Sequence, residues 1–418
     1  MSELSSWWCC IQTQKRRGYR LFLRTQSICI LTILCRVYIP ATAFQTHQRA
    51  FGVHTLMVPT SPPTCRTSVA MTWGSFLKRG GKGEEEKILT AKSRVRLGDL
   101  SVSPMGIGTW AWGNKVVWGY DEGMDNELQE AFNLCLSQGI NWFDTADSYG
   151  TGKIVGQAER LLGKFLNEYP GATKVREGVQ IATKFAPYPY RIGRDSIVKA
   201  CDETLERMEI ESLGVGQLHW APPFGWQEKA YWQGLTELRA TGRVREVGLS
   251  NYGPEKLFQA HRFLADEGAP LASNQVQFSL VSRYPLENGL FEAADQLGVT
   301  KIAYSPLALG LLTGKYGMDN IPSGPRGIIF RRVLPTMGPL LGVLRAVAID
   351  RGKTTSQVAL NWCICKGTVP VVGVKSLEQA KENLGALGWR LTSAEVEELD
   401  TAARKVKNQT IQNIFQSA

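Results

Sequence analysis

The sequence predicts an α/β protein built as a (β/α)8 TIM barrel, with an N-terminal β-hairpin and two extra helices. Three observations carry this. From about residue 87, short apolar or β-branched runs alternate with amphipathic stretches of 12–18 residues. The runs number eight, and each is followed by a helical pattern, which makes the sheet parallel. Eight such units in about 330 residues suit a closed barrel.

Taken in order, residues 88–104 alternate around Leu97-Gly98-Asp99-Leu100, a hairpin placed to cross the barrel bottom. The strands follow at 105–110, 141–146, 179–185, 215–220, 244–250, 272–278, 300–305 and 368–374. Helical patterns lie between them at 126–138, 156–168, 195–209, 255–265 and 286–296. Two more, near 340–350 and 393–405, exceed a minimal barrel. A doubly wound dinucleotide fold wants GxGxxG at its first turn. Here Gly106-Ile107-Gly108-Thr109-Trp110-Ala111 lacks the third glycine and sets the bulky Trp110 beside its place, which disfavours it.

The net charge of +10 suggests a polyanion partner until it is mapped. Residues 1–95 hold fourteen Lys/Arg against four Asp/Glu, so of 48 and 38 overall the remainder carries 34 of each. The basicity belongs to the leader, and no nucleic-acid partner follows. Outside the leader, Cys135, Cys201, Cys363 and Cys365 have neither metal-ligand spacing nor disulfide density, and no metal is expected.

The leader itself has parts. A basic stretch through Lys15, Arg16, Arg17, Arg20 and Arg24 precedes the apolar run 27–35 and Ala41-Thr42-Ala43, the layout of a secretory signal. That run is too short to span a bilayer, so no stable membrane insertion is expected. Residues 44–82 lack acids and carry scattered Ser, Thr, Arg and Lys, as transit peptides do. The division expected is 1–43 signal-like, 44–85 transit-like and 86–418 barrel. Ala41-Thr42-Ala43-Phe44 resembles the junction of bipartite leaders in algae with secondary plastids, which implies a plastid location. A non-functional leader implies the cytosol.

Catalytic groups of such barrels sit at the C-terminal ends of strands. Those ends read Phe143-Asp144-Thr145-Ala146-Asp147-Ser148-Tyr149, then Thr183-Lys184-Phe185, then Leu218-His219-Trp220. Asp144, Lys184 and His219 fall 40 and 35 residues apart, about one strand–helix unit each, so successive strands bring them to one rim with Tyr149. Singly, each has an ordinary reading as a loop charge, a packing ring or a core histidine. Together they make chemical sense. A hydride arriving at a carbonyl leaves an alkoxide that needs a proton, and a phenol of pKa near 10 is a weak donor. A neighbouring Lys⁺ is expected to lower that pKa, a buried Asp⁻ to keep the lysine charged, and a histidine to orient the carbonyl.

The pattern Asp144…Tyr149, Lys184, His219 resembles the catalytic tetrad of the aldo-keto reductase superfamily, from about Val95 onward. Gly108-Thr109-Trp110-Ala111-Trp112-Gly113-Asn114, Trp118-Gly119-Tyr120, the 143–152 run, Asn361-Trp362-Cys363 and the 383–389 and 411–416 runs are similar to its plant plastidic pyridoxal reductases. The resemblance implies NADPH-dependent reduction of a small-molecule aldehyde, pyridoxal to pyridoxine, with Tyr149 as proton donor. It also implies the cofactor contacts. Thr109, Trp110 and Asp144 lie at the first strand ends; Ser250, Asn251 and Gln275 hold the nicotinamide carboxamide. Tyr304 stacks on its ring, and Ser305, Leu307, Gly310 and Lys315 follow the pyrophosphate. Arg326 stacks on adenine, while Gly373, Lys375, Gln379 and Asn383 open a helix whose N-terminus and lysine take the 2′-phosphate. Substrate contacts fall to Trp110, Tyr149, His219 and Trp220. The mouth is expected to be aromatic, formed by about half of Trp110, Trp112, Trp118, Tyr120, Phe185, Tyr188, Tyr190, Trp220, Phe224 and Trp226, with the rest packing loops. Two other readings fit these residues: a broad reductase of reactive carbonyls, and an NADPH-binding, redox-sensing partner subunit. No pattern here specifies an oligomeric state.

Overall fold

The structure is a computed structural model that describes residues 87–151, 155–222, 225–407 and 417. The signal-like and transit-like segments, Gly152, Phe224 and the 411–416 motif lie outside the described residues.

The short strands β1 (Val95–Leu97) and β2 (Leu100–Val102) pair antiparallel as the expected hairpin. Eight more strands follow: β3 (Gly106–Gly108), β4 (Trp142–Asp144), β5 (Gln180–Phe185), β6 (Leu213–Leu218), β7 (Val244–Ser250), β8 (Leu271–Gln277), β9 (Thr300–Tyr304) and β10 (Val369–Gly373). They close in the order β10-β3-β4-β5-β6-β7-β8-β9, every neighbour parallel, which is the expected (β/α)8 barrel.

The hairpin plugs the bottom. Leu97, Leu100 and Val102 pack with Trp142, Ala182, Val215, Ile302 and Val371 in a cluster separate from the larger barrel–helix core. The Glu246 carboxylate accepts the Asp99 N–H at 2.7 Å and ties the turn to β7. Gly98 holds that turn at φ +57, where an added Cβ would lie 2.6 Å from the Glu246 carboxyl carbon. Gly106 in β3 faces the Trp142 ring, whose Cδ1 would be 2.0 Å from any Cβ there, so only glycine lets this large side chain fill the interior.

Expected helices at 126–138, 156–168, 195–209 and 255–265 appear as Asp125–Gln138, Gln157–Asn167, Arg194–Met208 and Pro254–Asp266. The two extra helices, Gly338–Asp350 and Ser393–Arg404, pack on each other. The single helix expected at 286–296 is two pieces, Tyr284–Glu287 and Leu290–Leu297, because Gly289 at φ +80 breaks it. Helix Thr355–Cys365 gave no amphipathic signal because eight of its eleven residues are buried, leaving almost no polar stripe. Its start was written locally: Thr354 and Gln357 form a capping box. Among the described residues no single helix is long and apolar enough to cross a membrane.

Candidate active site

Asp144 is the last residue of β4 and Lys184 the fifth of β5, so adjacent parallel strands deliver both side chains to the same rim. Lys184 is buried. Its Nζ donates to Asp144 Oδ2 at 2.6 Å, to the Thr145 carbonyl at 2.7 Å and to Tyr149 OH at 3.3 Å. Asp144 Oδ1 accepts from Gln275 Nε2 at 2.8 Å and from Gln217 Nε2 at 3.5 Å. A carboxylate and an ammonium taken from water this way persist only when their remaining lone pairs and protons are met, and here they are. Burial, the largest single effect, opposes the charge on Lys184, but the Asp144 carboxylate and the Tyr149 hydroxyl together outweigh it and raise the amine's pKa.

Tyr149 corrects one expectation. Its phenol pKa is raised, not lowered: burial dominates, and Lys184 only partly offsets it. The phenol is therefore protonated at neutral pH, as a proton donor must be, and Lys184 acts on the phenolate once the proton has gone. His219 lies beside it, ring centroids 5.9 Å apart, with Nδ1 at 3.5 Å from Ser148 Oγ. Burial first, then Lys184, holds its pKa well below 6.5, so the imidazole is neutral.

The residues expected at the carboxamide are brought together but engage one another. Ser250 Oγ donates to the Gln275 carbonyl at 2.9 Å, Asn251 Nδ2 donates to the His219 carbonyl at 3.0 Å, and Tyr304 OH donates to Asn251 Oδ1 at 2.9 Å. Gln275 Oε1 is buried with no partner. Thr109 is buried too, donating through Oγ1 to the Asp144 carbonyl at 3.1 Å; it secures the strand end and does not line the cavity.

A cavity of about 300 Å³ starts at Asp144, Tyr149 and Tyr304 and runs outward between the loops after β3, β9 and β10. Trp110, Ser305, Leu307 and Gly310 line it, as do Lys315, Arg326, Gly373, Lys375, Gln379 and Asn383. Sequence reasoning missed Tyr316, Ser356 and Glu382 on its wall. Glu382 was within reach, since it stands one turn beyond Gln379 on the same helix, Leu377–Leu384. That helix's N-terminus is less open than expected. Ser376 Oγ accepts the Gln379 N–H at 3.2 Å, and Glu127 accepts the Leu377 N–H at 3.1 Å. Positive charge at this end comes instead from Lys315, Arg326 and Lys375.

About half of the candidate aromatics stand at the mouth or cavity, as expected. Trp220 packs on His219 at 4.8 Å, Tyr188 and Tyr190 stack at 5.2 Å, and Trp226 is exposed. Arg191, paired with Asp147, holds the loop that carries the two tyrosines. Trp112, Tyr120 and Phe185 are instead packing residues. Trp112 donates to the Val374 carbonyl at 2.9 Å, Tyr120 donates to Asp125 at 2.7 Å, and Phe185 is fully buried. Trp118 lines the far, basic end of the cavity.

A parallel barrel with a buried Asp–Lys pair beside a cavity-lining tyrosine, opening into a long basic cleft, defines a class: carbonyl-reducing oxidoreductases that take a phosphorylated dinucleotide. Residues 104–404 match the aldo/keto reductase family. The chain belongs to that family. It is similar to a chloroplastic pyridoxal reductase of Arabidopsis thaliana, 52% identical over 78% of this chain and 89% of the relative. An L-glyceraldehyde 3-phosphate reductase of Escherichia coli is 30% identical over 73% of this chain and 88% of its own. Among solved structures, a glycerol dehydrogenase from Gluconobacter oxydans superposes with a TM-score of 0.65 at 25% identity, covering 78% of this chain and 99% of that one. An aldo-keto reductase from Klebsiella pneumoniae in complex with NADPH gives 0.58 at 25% identity, with the same coverage.

Proposed function

We propose that the chain reduces pyridoxal to pyridoxine with NADPH in the plastid. The observation that carries the chemistry is Lys184 Nζ, which bridges Asp144 and Tyr149 at the closed end of the cavity. Bound NADPH supplies a hydride to the carbonyl carbon. Tyr149 OH gives its proton to the carbonyl oxygen, and Lys184 stabilises the phenolate that remains. Asp144 and the Thr145 carbonyl hold Lys184 in place. His219, neutral, hydrogen-bonds the same carbonyl oxygen and orients it, with Trp110 and Trp220 flanking the substrate.

The residues present fit the cofactor. Gln275 Oε1, Asn383 Nδ2, Ser356 Oγ and Arg326 Nε are buried polar atoms without partners, and the last three residues line the cavity. Gln275 offers an acceptor to a carboxamide, beside Ser250 and Asn251. Tyr304 offers a ring face, while Ser305, Leu307, Gly310 and Lys315 flank the pyrophosphate. Gly373, Gln379 and Asn383 take the adenosine end, and Lys375 takes the 2′-phosphate with Arg326 beside it. A charge-assisted contact contributes roughly 1.5–3 kcal/mol, so Lys375→Ala should weaken NADPH about 10- to 150-fold and leave NADH nearly unchanged. Equal losses for both cofactors, measured by fluorescence titration, would place the 2′-phosphate elsewhere.

The substrate assignment rests on the similarity to the chloroplastic pyridoxal reductase and on a mouth whose Trp220 and stacked Tyr188–Tyr190 suit a flat heteroaromatic aldehyde. A panel of aldehydes assayed with NADPH tests it. Pyridoxal should exceed short aliphatic aldehydes in kcat/KM by roughly two- to tenfold, the worth of one good stacking contact. Parity across the panel would favour the broad carbonyl reductase instead. For the location, a fluorescent fusion of residues 1–85 should enter plastids and Phe44→Ala should divert it; cytosolic signal from the intact leader would exclude plastid targeting. The barrel begins near residue 86 in this reading.

A further inference from the structure

We infer that Trp118 sets the preference for a 2′-phosphorylated cofactor by holding two cations over one indole ring; the inference rests on the reading of Lys375 as the 2′-phosphate partner. Trp118 ends the short helix Lys115–Trp118, which Asn114 opens by accepting the Val117 N–H at 3.0 Å. Gly119, at φ +66, closes it. The ring is braced edge-on by Trp110, centroids 5.5 Å apart.

Two charges converge on it. The Arg326 guanidinium carbon lies 4.8 Å from the ring centroid and Lys375 Nζ lies 5.8 Å from it. Lys375 Nζ also donates to the Trp118 carbonyl at 3.4 Å, and Arg326 Nη2 donates to Tyr316 OH at 3.2 Å. No carboxylate among the described residues forms an ion pair with either cation. Like charges so placed repel, and burial together with Arg326 and Lys315 lowers the pKa of Lys375. An indole face within about 6 Å attracts each cation through its quadrupole without neutralising it. Trp118 therefore keeps two unneutralised charges poised at one end of the cavity. A 2′-phosphate dianion relieves that repulsion, and a 2′-hydroxyl cannot. The ring thus acts on discrimination between cofactors and not on adenosine as such.

Calorimetric titration of the full chain with adenosine 2′,5′-bisphosphate and with adenosine 5′-monophosphate tests this without turnover. Trp118→Leu should weaken the bisphosphate about tenfold and change the monophosphate less than about twofold. Trp118→Phe, which keeps a ring face and the packing, should recover most of the loss. Equal weakening of both probes by Trp118→Leu would show that the ring packs on adenosine, and no loss would show that the cations need no platform; either overturns the inference. Lys375→Ala in the same titration separates the two readings. If it retains full discrimination, the 2′-phosphate assignment fails and the Trp118 inference fails with it. If it loses discrimination while Trp118→Leu does not, only the Trp118 inference fails.

Discussion

Tyr149→Phe should lower the turnover of pyridoxal by about 10²–10⁴, the usual worth of a positioned general acid. The substitution keeps the ring, its place beside His219 and its packing, and removes the one hydroxyl that Lys184 contacts. Fold and NADPH affinity should survive, because the proposed cofactor contacts come mainly from β7 to β10 and the loops beyond them. The pH profile checks the assignment independently. Because Tyr149 is raised above 10 and His219 sits well below 6.5, neither titrates between them. Wild-type kcat/KM should therefore be flat across neutral pH and fall only in the alkaline range, as the phenol loses its proton. A redox-sensing subunit that hardly turns over would instead show slow reduction indifferent to the change. Wild-type-like turnover by Tyr149→Phe in a single-turnover assay would remove the tyrosine from the chemistry.

Much of this site is legible in the sequence. The spacing of Asp144, Lys184 and His219 sufficed to place them at one rim, because each strand–helix unit of a closed parallel barrel returns the chain to the same end. What the spacing could not show is which partner each polar group selects. Gln275 spends its amide N–H on Asp144, and the first N–H groups of helix Leu377–Leu384 are taken by Ser376 and Glu127. Those choices depend on side-chain reach across strands far apart in sequence. Aromatic positions were the least legible. Trp112 and Phe185 sit at or near strand ends as Trp220 does, and Tyr120 in the loop beyond β3, yet all three pack inward. Trp118, the last residue of the helix that Gly119 closes, lines the cofactor end instead. The direction of the Tyr149 shift was misjudged for a related reason: burial cannot be read from a motif, and here it outweighs the neighbouring charge.

Lys184→Met should be costly twice over, in activity and in stability. The methionine matches the stem of lysine and removes only the ammonium, leaving the Asp144 carboxylate buried with amides from Gln275 and Gln217 as its polar partners. Breaking one side of a buried ion pair costs about 3–5 kcal/mol, because the remaining charge has neither water nor counter-ion. The folded-state pKa of Lys184 is raised above its ordinary 10.5, so the pair's contribution is fully present below that value. It fades only as pH climbs through the raised pKa. Urea unfolding should accordingly show a gap between wild type and Lys184→Met that is constant through neutral pH and narrows in strong alkali. Asp144→Asn placed on top of Lys184→Met removes the stranded charge and should restore much of the stability while restoring no activity. Turnover of Lys184→Met should fall about as far as that of Tyr149→Phe, and the two changes together should cost little more than either, since lysine and tyrosine act as one unit. If Lys184→Met unfolds like wild type, Asp144 is not the charged partner the 2.6 Å contact implies, and the relay must be reassigned.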